Sequence, residues 1–312
     1  MFDITAIGEI LIDLTQSSVN EQGIPVFTAN PGGAPANLAV AASRLGASAA
    51  FIGKVGADSF GNLLRQTLIE NNVNVAGLST DTSLPTTLAV VSLDASGERS
   101  FSFYRNPSAD VNLQSEDISP EQVTATRFLH FGSVSLTTNP ARSTTLSAVT
   151  AAKQAGAIIS YDPNYRARLW PDEETAIQKM AEPLPLVDIL KISDEELPLL
   201  AGTSDLEEGA LKLEENGIKL ILITLGADGV FYRFRNQTGH IPGVPCQVGD
   251  TNGAGDTFLG AALSQLAKHP DLDNLSISDL EQILAFSNKA ASITASRHGA
   301  IPAMPSYSEV FC

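Results

Sequence analysis

The chain has 312 residues, 43% of them hydrophobic, enough for one large or two unequal domains with a substantial core. Its formal net charge of −16 and its pI near 4.5 exclude a general role on nucleic acid or at an anionic membrane surface. An anionic substrate therefore needs a local positive site, helped by a metal ion. No apolar stretch reaches membrane-spanning length, and no basic, apolar leader follows Met1-Phe2-Asp3, so a cytoplasmic protein without a signal peptide is expected.

Ile4 to Leu14 is apolar and β-prone, interrupted by Gly8, Glu9 and Asp13, and reads as one buried strand with Asp13 near its C-terminal end, where ligands gather in open α/β sheets. Asn30-Pro31-Gly32-Gly33-Ala34-Pro35-Ala36-Asn37 leads into a helix over Leu38–Leu45 with Gly46 as its stop. Its small residues permit close approach of a ligand or of another helix. Asn37, in the first turns, is placed to hydrogen-bond a hydroxyl-rich ligand. Helix signals continue from Ser59 to Asn71. Thr86–Leu93 and Arg99–Tyr104 then alternate around Asp94-Ala95-Ser96-Gly97, the pattern of a β-hairpin. A hairpin is out of place inside a βα repeat, so it is expected to leave the main sheet and form a small β lid with Ser17–Thr28. Arg105 ends the hairpin and reads either as a solvated strand end or as a side chain reaching the cleft.

From Arg127 onward, strands at Phe128–Phe131, Ala157–Asp162, Val187–Ile192, Lys219–Thr224 and Gly229–Phe234 alternate with helices at Pro140–Ala155, Asp172–Ala181, Asp194–Ala201 and Asp205–Asn216. This is the βαβ pattern of a parallel, doubly wound sheet. Asp162-Pro163-Asn164-Tyr165-Arg166 closes one strand, and its three polar side chains at alternate positions face one pocket in this reading. Gly239–Gly249 is Gly/Pro-rich and irregular. It runs into Gly249-Asp250-Thr251-Asn252-Gly253-Ala254-Gly255-Asp256-Thr257-Phe258 and then an apolar helix to Leu266.

The amides of Gly253, Ala254 and Gly255 at a helix start form an anion-binding hollow. Asp256 at its rim is expected to be held ionised by the helix end and to accept a proton from a substrate hydroxyl. Cradle and base together suit phosphoryl transfer; the alternative is a Gly-rich turn with an N-capping Asp. No G-x-x-x-x-G-K-[ST] occurs, and Phe258 stands where a dinucleotide fingerprint requires Gly. Cys246 and Cys312 are too few for a disulfide framework, and His130, His240, His269 and His298 show no zinc spacing with them.

Gly32-Gly33 with Asn37, Gly46-Ala47 through Phe51-Ile52-Gly53-Lys54-Val55-Gly56, Asp58-Phe60-Gly61, and Asp250 to Asp256 resemble the two signatures of the PfkB-type, ribokinase-like carbohydrate kinases, in the expected order and over essentially the whole chain. The resemblance implies a mainly parallel α/β core (1–15, 31–86 and 107–312) with a small β lid (16–30 and 87–106), able to form a homodimer contact. It implies ATP-dependent phosphorylation of a small sugar with Mg²⁺, and K⁺ or another monovalent cation around Asp250 and Asn252. Asp256 is then the base, with Gly253, Ala254 and Gly255 at the phosphoryl oxygens. Asp13, Gly32, Gly33, Asn37, Arg105, Asp162, Asn164 and Arg166 fall at the sugar. Lys191, Ser193 (where the family has Asn), Thr224, Gly226, Gly229 and Asn288 fall at the nucleotide, and Glu196 serves Mg²⁺ directly or through water. The Asp162-x-Asn164-x-Arg166 pattern with Leu169-Trp170 resembles the branch acting on D-fructose or 2-keto-3-deoxygluconate; fructose is the expected substrate and the keto acid the alternative. The competing class is a dinucleotide-binding oxidoreductase.

Overall fold

The computed structural model describes residues 1–93, 99–105 and 107–311. In chain order the elements are β1 Phe2–Ile7, β2 Leu11–Val19, β3 Pro25–Gly32, α1 Ala34–Arg44, β4 Ala49–Gly56, α2 Ser59–Glu70, β5 Val73–Asp81, β6 Leu88–Leu93, β7 Arg99–Tyr104 and α3 Pro120–Thr124. They continue with β8 Thr126–Gly132, α4 Ala141–Gln154, β9 Ile158–Asp162, α5 Glu173–Ala181, β10 Ile189–Ser193, α6 Leu197–Ala201 and α7 Leu206–Glu214. The last are β11 Leu220–Thr224, β12 Val230–Phe234, β13 Gln237–Ile241, α8 Ala254–Leu266, α9 Ile277–Ala295 and α10 Tyr307–Phe311. The Asp94–Gly97 turn expected between β6 and β7 lies outside the described residues.

Nine strands form one sheet in the order β13-β12-β11-β10-β9-β8-β1-β4-β5, parallel except where β12 pairs antiparallel with β11 and β13. The expected run of parallel strands therefore ends in a hairpin: Arg235 and Asn236, both at positive φ, turn the chain back. Gln237–Ile241, which overlaps the segment expected to be irregular, is an edge strand instead. Its polar residues Gln237, Thr238 and His240 are exposed and only Gly239 and Ile241 are half-buried, so no apolar alternation marks it. The central strands are buried on both faces, which explains their unbroken Ile/Leu/Phe runs. On one face α4, α5 and α7 cover a core around Phe131, Tyr161 and Ile192; on the other, α1, α8 and α9 cover one around Phe128, Leu222 and Leu259.

The single strand expected over Ile4–Leu14 is in fact two. The chain breaks at Gly8-Glu9-Ile10, with Gly8 at φ 152, a value at which a side chain would also meet the Pro35 ring at 2.8 Å. β2 leaves the main sheet and joins a second sheet of order β3-β2-β6-β7. Asp13 thus belongs to this second sheet, opposite Asn30 of β3. The break places the second sheet over the C-terminal ends of the main strands, where crossover loops and helix N-termini converge.

Candidate active site

Two helices start at this edge, each after a glycine with positive φ. α1 follows Gly33 (φ 105), where a Cβ would stand 2.6 Å from the Glu9 carbonyl oxygen; α8 follows Gly253 (φ 76), where it would meet the Ala300 side chain at 2.8 Å. Farther along, Gly260 of α8 lies flat against α1. An added Cβ there would come within 2.8 Å of the Leu38 carbonyl and 2.9 Å of Ala41. This contact brings Asn37 onto the catalytic candidate: its Nδ2 donates to Asp256 Oδ2 at 2.8 Å. From the loop after β9, Asn164 at φ 49 donates to Oδ1 at 3.4 Å. The Asn37 amide therefore supports the base rather than pointing free to a ligand, while its Oδ1 is buried with no partner.

Asp256 was expected to be held ionised by the helix end. Burial outweighs that effect. Desolvation first, and the nearby Asp162 charge second, push its pKa up to about 6, against the pull of Asn37, Lys191 and Arg166. A carboxylate so placed is mostly ionised at neutral pH and is far more basic than a surface aspartate.

Asp162 departs from the sequence reading. Asn164 and Arg166 line the cleft, but Asp162 does not; it lies beneath, with Oδ2 2.9 Å from Lys191 Nζ, and both side chains are buried. Burial pulls the Lys191 ammonium down, but Asp162 and Glu196 more than offset this, and its pKa is raised above the usual lysine value. Lys191 Nζ sits 3.0 Å from where a Cβ on Gly255 would be. A fixed cation therefore lies against the α8 hollow, which supplies the local positive site that the acidic chain requires. Within the hollow the Ala254 N–H already donates to the Thr251 carbonyl at 3.2 Å, so Ala254 is a poorer phosphoryl donor than expected.

Glu196 is enclosed. Oε1 accepts the Tyr165 N–H at 2.6 Å, and Oε2 accepts the Ser193 N–H at 2.9 Å and its hydroxyl at 3.2 Å. Ser193 thus holds Glu196 in place. Thr224 adjoins Ser193 across the β10–β11 register, its hydroxyl donating to the Ile192 carbonyl. Gly226 (φ 57) and Gly229 (φ 98) shape the next turn, where a Cβ on Gly229 would stand 2.1 Å from the Ile241 carbonyl oxygen. Asn288 gives its amide hydrogens to the carbonyls of Ile241 and Pro242 at 3.1 and 3.0 Å. It ties α9 to this loop, so its donors do not point to a free purine site.

The cleft between the two sheets has a volume of about 550 Å³ and is lined by Asp13, Gly33, Asn37, Asn164, Lys191 and Asp256 among others. Gly32 leaves room for Asp13, whose Oδ2 would be 2.5 Å from a Cβ there. Burial raises Asp13 to about 6, against a hydrogen bond from the Asn252 side chain. Asp250 accepts the Asn252 N–H at 3.0 Å and the Gly299 N–H at 3.3 Å. Arg105 reaches the cleft wall but is held within it: Nε pairs with Asp110 at 2.7 Å, and the two terminal nitrogens donate to Thr137 and to the Val134 carbonyl. Glu9 and Phe103 also line the cleft and were missed. Glu9 carried a usable signal, an acidic residue inside an apolar run; Phe103 carried none beyond strand alternation. Among the described residues, no helix is long and apolar enough to cross a membrane, and no group of three or more His, Cys, Asp or Glu is arranged to hold a metal ion.

The profile of the pfkB family of carbohydrate kinases matches residues 1–306. The chain is 42% identical to probable fructokinase-4 of Arabidopsis thaliana, with 98% of this chain and 95% of that protein covered. It superposes on the ATP-bound crystal structure of fructokinase from Xylella fastidiosa with a TM-score of 0.92 at 35% identity, covering 99% and 97% of the two chains. A fructokinase double mutant from Vibrio cholerae O395 in fructose-, ADP- and potassium-bound form gives a TM-score of 0.88 at 33% identity, with 99% and 97% covered.

Proposed function

Because this chain belongs to the pfkB family of carbohydrate kinases, with the ribokinase-like fold, we propose that it transfers the γ-phosphoryl group of ATP to D-fructose, giving D-fructose 6-phosphate and ADP. One observation carries the reading: a buried carboxylate, Asp256, with its pKa near 6, gripped by two asparagines at the mouth of a helix whose hollow contains a lysine. A sugar hydroxyl beside Asp256 loses its proton to the carboxylate as its oxygen attacks phosphorus. Lys191 and the amides of Gly253 and Gly255 face the oxygens on which charge develops. The sugar is held from Asp13, Gly32, Gly33, Asn37, Asn164 and Arg166. The nucleotide lies along Ser193, Thr224, Gly226 and Gly229, in a groove that Asn288 braces.

Mg²⁺ fits this donor set as an ion carried mainly by the ATP phosphates, with Glu196 reaching it through water, since both Glu196 oxygens already accept protein hydrogens. Bound there it neutralises phosphate charge. Asp250 and Asn252 fit a monovalent cation such as K⁺, whose contribution is to fix the loop that carries the hollow. The two cysteines fit a cytoplasmic enzyme, and strands β2, β3, β6 and β7 fit a lid that also makes a homodimer contact.

The test is ADP release coupled to a colour change over a panel of fructose, 2-keto-3-deoxygluconate, ribose and glucose. Fructose is expected to exceed the keto acid in kcat/KM by at least about tenfold, or 1.4 kcal/mol in transition-state binding. Preference for the acid would assign the protein to the other branch; no ADP release with any sugar would refute the kinase.

A further inference from the structure

Glu9 is the most constrained acid in the cleft that the reaction does not use. It lies in the break between β1 and β2, is only 3% exposed, and lines the cleft. Its Oε1 accepts the Ala34 N–H at 3.2 Å, at the start of α1. Its Oε2 is buried and has no partner. A carboxyl oxygen removed from water and left without a donor is strongly unfavourable, and structures rarely keep one unless something else supplies the bond.

The charged groups acting on Glu9 are Arg105, at the end of β7, and Asp110 after it. Arg105 does not fill the gap, because its donors go to Asp110, Thr137 and Val134. Burial dominates and raises Glu9 to about 7, against the hydrogen bond from its own backbone N–H, the Arg105 charge and the Ala34 N–H. The reacting centre belongs to a different set of charges: Asp256 feels Asp162, Lys191 and Arg166.

We propose that Glu9 is a specificity-determining residue: its free Oε2 accepts a hydroxyl of a neutral sugar at the Arg105–Val134 end of the cleft, and the same oxygen turns away a sugar acid whose carboxylate faces it. This rests on the reading of the protein as a kinase of a neutral ketose. A hydroxyl supplies the donor that the oxygen lacks. A carboxylate supplies none and adds like-charge repulsion, and Arg105, the cation that acts on Glu9, is already paired with Asp110. Rejection by an unsatisfied buried group discriminates far more sharply than a change of shape.

Glu9→Gln keeps an acceptor for Ala34 and replaces Oε2 with an amide donor. At pH 8, its kcat/KM for fructose is expected to fall at least about tenfold, while the ratio of 2-keto-3-deoxygluconate to fructose efficiency rises at least about tenfold and KM for ATP stays put. A purely structural cap on α1 would lower the melting temperature without moving that ratio, and an unmoved ratio overturns the inference whatever happens to activity. Glu9→Asp keeps the charge and shortens the reach, so it should lose fructose efficiency yet still reject the acid. If Glu9→Gln does not fold, Glu9→Asp decides: wild-type efficiency on fructose, or gained activity on the acid, overturns the proposal. Wild-type protein inactive on fructose but active on another substrate would refute the fructose reading itself, and this inference with it; wild type active on fructose with an unmoved ratio refutes this inference alone.

Discussion

Asp256 and Glu9 are both buried acids with raised pKa values, and pH separates what they do. Asp256 must be ionised to accept a proton, and its pKa is raised to about 6. Activity should therefore fall as pH drops through about 6, giving a kcat/KM profile with an acidic limb there rather than near 4. A limb at the ordinary aspartate value would show that burial does not govern this group. Asp256→Asn should lower kcat by on the order of 10²–10⁴-fold while leaving ATP and sugar binding, measured by calorimetry, largely intact; near-normal turnover would remove Asp256 from its role. Glu9 acts on stability. Its pKa rises from 4.5 to about 7 on folding, so the protonated form favours the fold. That contribution is complete below about 4.5 and is lost as pH climbs through 7. Between pH 5 and pH 8 the wild type should lose up to about 3 kcal/mol of stability that Glu9→Gln does not lose, since each pKa unit is worth about 1.4 kcal/mol. Parallel urea titrations of the two proteins at both pH values measure the difference, and equal pH slopes would contradict it.

At the scale of elements, the catalytic geometry depends on how closely α1 and α8 approach. Gly260 sets that distance, since a Cβ would press on the Leu38 carbonyl and the Ala42 nitrogen as well as on Ala41. Backbone cannot yield as a side-chain tip can, so Gly260→Val should cost about 1–3 kcal/mol in stability and separate Asn37 from Asp256. The folded fraction should then show lower kcat as well as a lower melting temperature; wild-type kcat would mean that the Asn37–Asp256 bond does not depend on this contact. The small residues of both helices were visible in the sequence, and so was the possibility that they serve helix contact. Ile4–Leu14 reads as one strand because apolar, β-prone character does not reveal which sheet a residue joins; Gly8 at φ 152 makes the break. β13 was missed because an edge strand needs no apolar face. Alternation puts Asp162 on the side of Asn164 and Arg166, in the sugar pocket. The loop after β9 instead turns at Asn164, with φ 49, and leaves Asp162 below with Lys191. Asn288 reads as a nucleotide residue and Arg105 as either a solvated strand end or a side chain reaching the cleft; Arg105 does line the cleft, but buried donors take the nearest carbonyl or carboxylate, and a sequence does not show which backbone groups lack partners. The Gly-Gly and Gly-Ala-Gly helix starts were legible because their chemistry is local.

At the scale of the whole molecule, the second sheet presents a surface that a solitary domain would be expected to cover. β3 and β7 are its two edges, and an open edge strand is a template for further pairing. Val19, Ile24 and Val26 are 55, 55 and 41% exposed, and Phe27, on β3 with Val26, is 39% exposed. Apolar side chains gathered around the β2–β3 turn and the start of edge strand β3 mark a contact surface more than a solvated one. A homodimer through this sheet would cover them and at the same time steady the sheet over Asp13 and the cleft. Phe27→Asp places a charge in that contact without touching α1, α8 or Lys191. Sedimentation at micromolar concentration should show a dimer for the wild type and a monomer for the variant. The sugar KM should rise several-fold as the sheet loses its support, while kcat at saturating sugar changes by less than about twofold, because removing uniform binding raises KM and leaves the chemical step alone. A wild type that sediments as a monomer would remove the dimer. A monomeric variant with an unchanged sugar KM would keep the dimer but separate it from the sugar site, leaving the second sheet rigid enough without a partner.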